Sequence, residues 1–140
     1  MSEAYVVYTD GACKGNPGQS GGGYAIYGPD GIACWGSKAL GEMTNNQAEY
    51  IAVTLALEQC LGMGLTRVTV KSDSLLIVNQ MKGSYKVKNG PLRYLWEDTK
   101  RWCGQFQHVA FEHIPRRENS VADKLASDAC KTGGLGICYP

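Results

Sequence analysis

The stretch YVVYTDGACKGNPG, Tyr5–Gly18, runs from apolar residues directly into an aspartate and then into small residues. Its first half predicts a buried strand, because β-branched and aromatic residues predominate there. Glycine, asparagine and proline in its second half predict a loop. Asp10 therefore stands at the mouth of a buried strand, where a carboxylate needs a compensating partner.

Strand and helix patterns follow one another along the rest of the chain, with turn signals between them. Two strands after the glycine-rich loop, joined at Pro29-Asp30-Gly31, predict an antiparallel meander with the first strand. Beyond the meander the order becomes β-α-β. The predicted elements are strands 4–10, 22–28, 31–40, 67–73 and 108–115, and helices 44–64, 74–83, 90–106 and 118–131. We predict one α/β domain over residues 1–140, with a C-terminal tail at about 132–140.

The composition fits one compact domain without membrane segments. The 140 residues are 44% hydrophobic and 19% charged, which is enough to bury a core. The 14 basic and 13 acidic residues nearly cancel, so any site for a polyanion has to be local. The N-terminus lacks a basic segment followed by an apolar one, and no run of about 18 apolar residues occurs. We expect a cytoplasmic monomer that does not interact with membranes.

The six cysteines are spread singly along the chain, without a C-x-x-C motif or a histidine at zinc-finger spacing. A chain with this apolar content needs no disulfide framework. We expect reduced thiols that are mostly buried as small apolar residues.

The first long helix carries a carboxylate on its inward side. Thr44 and Gln47 form a capping box, which fixes the register of the helix. Glu49 lies two positions after Gln47, roughly 200° around the helix axis. The residues on that side are apolar: Ile51, Ala52, Val53 and Ala56. A carboxylate pointing inward needs an arginine, a set of donors or a metal ion.

Two further carboxylates repeat this pattern. Asp73 ends the fourth strand, and Asp123 lies beside the apolar stripe of the closing helix. Neither these two nor Asp10 and Glu49 have a lysine or arginine at a local pairing distance on the same face. Four carboxylates that meet would repel one another unless a divalent cation joined them, and hard oxygen ligands select Mg²⁺ or Mn²⁺.

Structural roles for the same residues stay open at this point. Asp10 is also in a position typical of a turn former, and Asp73 in that of an N-cap for the following helix. Glu49 lies inside a helix and cannot be a cap, although its side chain could reach solvent if the helix turned slightly. The patterns alone do not decide between these roles and metal binding.

Four motifs, taken together, resemble those of type 1 ribonuclease H. In chain order they are YTDGACKGNPGQSGGGYAI, TNNQAEYIAVTLALE, VTVKSDSLLIVNQMKG and PRRENSVADKLA. The resemblance extends from about Tyr5 to Ala129. It implies a five-stranded mixed sheet of order 3-2-1-4-5 flanked by helices, and endonucleolytic cleavage of the RNA strand of RNA–DNA hybrids.

The resemblance also implies a metal site and a mechanism. Asp10, Glu49, Asp73 and Asp123 match the family's four metal-binding, catalytic carboxylates. Two Mg²⁺ or Mn²⁺ ions would assist hydrolysis of the phosphodiester and leave 5′-phosphate and 3′-hydroxyl ends. No nucleophilic side chain is required, and no persuasive Ser-His-Asp or Cys-His set is present in the sequence.

The substrate contacts implied by the resemblance are short polar groups and a phosphate pocket. Such groups suit the wide, shallow minor groove of a hybrid, where 2′-hydroxyls are exposed. The minor-groove residues are Cys13, Gly15, Asn16, Asn45, Asn46 and Gln47. Thr44 and Asn89 match the pocket for a DNA phosphate. The sequence leaves open whether double-stranded RNA is also bound.

Two departures from the family pattern concern substrate affinity and product release. A basic protrusion found in many members is missing, and the basic residues left in its place are Lys82, Lys86, Lys88 and Arg93. We expect Lys86 and Lys88 to contact the substrate, with strong salt dependence. The loop that carries a histidine before the last aspartate is also missing. Arg116 and Arg117 are the candidates to replace that histidine in product release.

Three other classes of function compete with a hybrid nuclease. A hybrid-binding module without catalysis has no reason to keep four repelling carboxylates. A different nuclease of the same fold, such as a resolvase or integrase core, is disfavoured by TNNQAE. An interaction domain with no nucleic-acid role would require every motif match to be accidental.

Overall fold

The computed structural model describes residues 5–132 and 137–139, with side chains described for residues 5–131. Within these residues the chain forms six strands and four α-helices. The strands are β1 (Tyr5–Lys14), β2 (Gly18–Gly28), β3 (Gly31–Met43), β4 (Arg67–Ser72), β5 (His108–His113) and β6 (Ile137–Tyr139). The helices are α1 (Asn45–Gly62), α2 (Leu75–Lys82), α3 (Gly90–Cys103) and α4 (Ser120–Thr132), and a short 3₁₀ turn, Arg116–Glu118, precedes α4.

One mixed sheet has the strand order β5-β4-β1-β2-β3-β6. Strands β1, β2 and β3 form the antiparallel meander, whereas β1, β4 and β5 run parallel. The predicted order 3-2-1-4-5 is confirmed. Within the segment predicted as a C-terminal tail, at about 132–140, residues 137–139 form β6, which pairs with residues 35–37 of β3. A strand at the end of a sheet has unpaired backbone groups that another strand can satisfy.

The glycine-rich segment predicted as a loop belongs mostly to the sheet. Strands β1 and β2 continue to Lys14 and back from Gly18. The glycines of β2 are needed for packing: a Cβ on Gly23 would lie 2.6 Å from the backbone nitrogen of Ala126 in α4. Helix α4 therefore packs directly on the backbone of β2, because the glycines of β2 have no side chains to keep it away.

The core lies between α1 and the sheet. Val7 of β1, Ile26 of β2 and Val70 of β4 pack against Val53 and Leu57 of α1, and all five are buried. A smaller cluster joins α1 to α2 and α3. Its buried members are Tyr50, Ile77, Met81, Val87 and Leu92.

Among the cysteines whose side chains the structure describes, which excludes Cys138, only Cys34 departs from the expectation of reduced thiols. Cys13, Cys60, Cys103 and Cys130 are free, but Cys34 is disulfide-bonded. Sequence spacing does not show which cysteines the fold brings together, so this bond could not be foreseen. Burial raises the pKa of the Cys60 thiol to about 12, as expected for a cysteine that packs as an apolar residue.

No helix in the described ranges is both long enough and apolar enough to cross a membrane.

Candidate active site

Three carboxylates meet where the central strands end. Oxygen atoms of Asp10, Glu49 and Asp73 all lie within 4.8 Å of one another. Asp10 and Asp73 become neighbours because β1 and β4 pair in parallel, with Thr9 opposite Ser72. Asp10 is only 6% exposed, and the other two are half-buried.

Glu49 reaches this cluster because α1 approaches β1 closely. A Cβ on Gly11 would lie 2.5 Å from the backbone nitrogen of Glu49, so only glycine allows this approach. The N–H of Gly11 donates to Glu49 Oε1 and, at 3.0 Å, to Asp10 Oδ1. The predicted capping box is confirmed: Gln47 N–H donates to Thr44 Oγ1 at 3.2 Å, and Thr44 N–H to Gln47 Oε1 at 2.9 Å. The inward orientation predicted for Glu49 is confirmed as well.

The alternative role of Asp73 as a helix cap is wrong. Ser74 is the N-cap of α2, and its hydroxyl accepts a hydrogen bond from Ile77 N–H at 3.3 Å. Asp73 Oδ2 instead accepts a hydrogen bond from Asn119 Nδ2 at 3.0 Å. The Asp73 carboxylate is therefore held toward the cluster by a residue far away in the sequence.

Asp123 lines the same cleft but stands outside the three-carboxylate group in this structure. Its Oδ1 lies 3.6 Å from Nη2 of Arg116, whose side chain is 80% exposed. Arg116 is not at a local pairing distance on the same helix face, and it reaches Asp123 because the turn before α4 brings it back over that residue. Arg117 is exposed and does not line the cleft.

The cluster is electrostatically strained. Burial, and then the charge of Glu49, raise the pKa of Asp10 well above its ordinary value. Burial also raises the pKa of Glu49, against the lowering effect of the hydrogen bonds from Asp10 and Gly11. Burial therefore favours the protonated form of both Asp10 and Glu49. Oxygen donors this close and this poorly neutralised fit a hard divalent cation such as Mg²⁺ or Mn²⁺.

Most of the residues predicted to contact the minor groove or a DNA phosphate line two adjoining cavities. The cleft over the carboxylates, about 480 Å³, is also lined by Cys13, Asn45 and Asn46. A second cavity, about 360 Å³, lies where α1 and α3 begin. It is lined by Asn16, Thr44, Asn46, Gln47, Asn89, Pro91 and Leu92. Gly15 lines neither cavity and occupies the β1–β2 turn with φ of 89°.

Lys86 and Lys88 line a third cavity of about 620 Å³ between α2 and α3. Arg93 lies there too, with its guanidinium 5.7 Å from the ring centroid of Trp96. Lys82, which the sequence places in the same basic strip, does not line this cavity.

Two groups at the site were missed by sequence reasoning. One is the backbone N–H of Gly11, which no residue pattern reveals. The other is Asn119, which is 1% exposed and donates from Nδ2 to Thr9 O at 2.9 Å and to Asp73. An asparagine at the start of a predicted helix is typical of an N-cap, so its position gave a structural signal only.

Comparison with known proteins agrees with this geometry. A family model described as reverse transcriptase-like matches residues 8–129. A bifunctional protein of Mycobacterium tuberculosis is 36% identical over 126 residues, which are 89% of this chain and 35% of that protein. Ribonuclease HI of Halobacterium salinarum is 35% identical over 124 residues, 88% of this chain and 62% of that protein. This chain thus spans less than two thirds of either relative.

Solved structures extend the comparison to three dimensions. The N-terminal ribonuclease H domain of the M. tuberculosis protein superposes with a TM-score of 0.88, covering 92% of this chain and 94% of that one. LC11 ribonuclease H1, solved in complex with an RNA/DNA hybrid, is 36% identical and has a TM-score of 0.88 over 92% of this chain and 98% of that one. The fold, the acidic cluster and these relatives agree, and the chain belongs to the type 1 ribonuclease H family.

Proposed function

We propose that the protein is a metal-dependent endoribonuclease that hydrolyses the RNA strand of RNA–DNA hybrids. The observation that carries the proposal is the three-carboxylate cluster at the floor of an open cleft. A buried group of like charges lowers the stability of the free protein, and a cation of opposite charge removes that cost. The relative solved with a hybrid supports the choice of substrate.

Asp10, Glu49 and Asp73 would hold the cations, with Asp123 as the fourth carboxylate of the cleft. Two bound Mg²⁺ or Mn²⁺ ions would activate the attacking water and stabilise the leaving 3′ oxygen, which gives 5′-phosphate and 3′-hydroxyl ends. Gly11 N–H keeps Asp10 and Glu49 in place through its two hydrogen bonds. Arg116 lies at the rim, where it can pair with Asp123 or with a phosphate and so assist product release.

The cleft over the carboxylates and the second cavity next to it have linings that suit the binding of an RNA–DNA hybrid. Cys13, Asn45 and Asn46 line the cleft, and small polar groups of this kind contact 2′-hydroxyls without reading sequence. We assign Gly15 and Gln47 to the same minor-groove surface. Its shape depends on Asn16, whose Oδ1 accepts a hydrogen bond from Asn45 N–H at 3.0 Å and so ties the β1–β2 turn to α1.

The second cavity is the candidate phosphate pocket. Thr44 and Asn89 are the N-caps of α1 and α3, so two helix N-termini face one cavity. Helix N-termini favour negative charge because their first N–H groups have no partner within the helix. Beyond this pocket, Lys86 and Lys88 are exposed and can neutralise phosphates of either strand.

The decisive experiment compares labelled RNA–DNA hybrid, double-stranded RNA and double-stranded DNA, each with Mg²⁺, with Mn²⁺ and with chelator. We expect metal-dependent cleavage of the RNA strand of the hybrid, with 5′-phosphate ends, and no cleavage by Glu49→Gln. If the wild type binds the hybrid without cleaving it, the protein is a hybrid-binding module and not a nuclease. Cleavage of duplex DNA would indicate a different nuclease of the same fold.

The monomeric state, the cytoplasmic location and the single-domain assignment of residues 1–140 remain predictions from the sequence. Sedimentation or light scattering of the purified chain measures the first of them.

A further inference from the structure

Asn119 is held by contacts to three separate parts of the active site. Its Nδ2 donates to the backbone oxygen of Thr9, next to Asp10, and to Oδ2 of Asp73. Its backbone oxygen accepts a hydrogen bond from Asp123 N–H at 3.0 Å, in the first turn of α4. One residue is therefore bonded to, or directly beside, three of the four carboxylates.

The orientation of the Asn119 amide follows from its partners. Thr9 O and the Asp73 carboxylate are both acceptors, and the NH₂ group has two hydrogens, one for each. Turning the amide over would place Oδ1 against two acceptors. The side chain therefore donates in a fixed direction, and the Asp73 carboxylate has a fixed partner.

Asn119 is not explained by stability alone. Its side chain is 1% exposed, and within the described part of the chain its Oδ1 has no hydrogen-bond partner. A buried polar atom without a partner destabilises the fold. A residue chosen only for packing would avoid this defect, so the value of the amide lies in its two donated hydrogens.

We infer that Asn119 is a positioning residue: it sets the Asp73 carboxylate, relative to Asp10 and Asp123, in the geometry that binds the divalent cation. The inference rests on the proposed function, because it concerns the metal of that reaction. Partners that orient metal-binding carboxylates typically change metal affinity by about 10–100-fold when removed. Asn119 touches no reacting atom and acts only through Asp73.

Two variants test the inference. Asn119→Leu keeps the branched shape of the side chain, with two methyl groups in place of the amide atoms, and removes both the donors and the unpaired oxygen. Asn119→Ala removes the side chain. Ser120→Ala, at the exposed next position, is the matched control. For each protein, the melting temperature is measured in chelator and across a Mg²⁺ series, and kcat and KM for hybrid are measured at each Mg²⁺ concentration.

We expect both Asn119 variants to need about 10–100-fold more Mg²⁺ for the half-maximal rise in melting temperature and for half-maximal cleavage. At saturating Mg²⁺ their kcat should recover and their KM should match that of the wild type. The control should behave as the wild type throughout.

A purely structural residue would give a different result. Lower melting temperatures in chelator with an unchanged Mg²⁺ requirement would overturn the inference, and so would failure of both variants to fold. If the wild type itself shows no response to Mg²⁺, the proposed function fails, and the inference fails with it. If the wild type responds and the variants respond equally, only the inference is wrong.

Discussion

Replacing Asp10 with asparagine should stabilise the protein when divalent cations are absent. Asp10 is 6% exposed and faces Glu49 and Asp73, so the folded chain must ionise a buried carboxylate among like charges or protonate it. Protonating a group of ordinary pKa 3.8 at about pH 7 costs at most about 4 kcal/mol, since one pH unit corresponds to about 1.4 kcal/mol. Asparagine avoids this cost and can still donate to Glu49. We expect a gain of about 2–4 kcal/mol, or roughly 6–12 °C in melting temperature.

The gain should depend on pH in a defined direction. Because folding raises the pKa of Asp10, its contribution to stability is full below the unfolded pKa and is lost as pH rises toward the folded pKa. Wild type and Asp10→Asn should therefore be nearly equal in stability at about pH 4 and differ increasingly up to about pH 7.

The assay is urea or thermal unfolding of the wild type, Asp10→Asn and the control Asp30→Asn, which changes an exposed carboxylate in a turn. Added Mg²⁺ should raise the stability of the wild type and the control but not of Asp10→Asn, which should also have lost cleavage. An Asp10→Asn protein that is less stable than the wild type in chelator would refute the reasoning. Such a result would mean that Asp10 stabilises the fold and that the cluster carries no strain.

The remaining predictions concern product release, substrate binding and packing. Arg116→Ala should lower kcat with little change in KM, whereas Arg117→Ala should keep wild-type turnover, because only the former side chain lines the cleft; equal turnover in both would contradict this role. Lys86→Ala with Lys88→Ala should raise KM more than it lowers kcat and should flatten the slope of log affinity against log salt by about one unit per lost contact; superimposable salt titrations would identify ordinary surface charges. Gly23→Ala should lower the free energy of unfolding by about 1–3 kcal/mol, measured in urea, because its Cβ would overlap the backbone of α4; an unchanged midpoint would show that α4 can move away freely.

Local patterns were sufficient where one element fixes its own geometry. The capping box at Thr44 set the register of α1, and the register placed Glu49 inward before any tertiary contact was known. The strand patterns likewise placed Asp10 and Asp73 at the ends of two strands, and the parallel pairing of β1 with β4 brings them together.

Contacts between residues that lie far apart in the chain could not be predicted from the sequence. Asn119 donates a hydrogen bond to Thr9, which lies 110 positions earlier, so its role depends on the tertiary fold. The glycines of β2 resemble loop residues until α4 is seen to lie on them, and the disulfide of Cys34 depends on which cysteine the fold brings near it. In each case the residue type is ambiguous and the tertiary contact decides its meaning.

The amide of Gly11 gives the active site a spectroscopic reporter. Its proton is shared by the carboxylates of Asp10 and Glu49, so its chemical shift follows the charge on both groups at once. In a nitrogen–proton correlation spectrum, glycine amides usually lie apart from most other backbone signals. The single resolved peak of Gly11 would then report how much of the metal site is occupied, in the intact protein and without any attached probe. Titrating Mg²⁺ while watching that peak would measure cation binding even in variants that no longer turn over substrate.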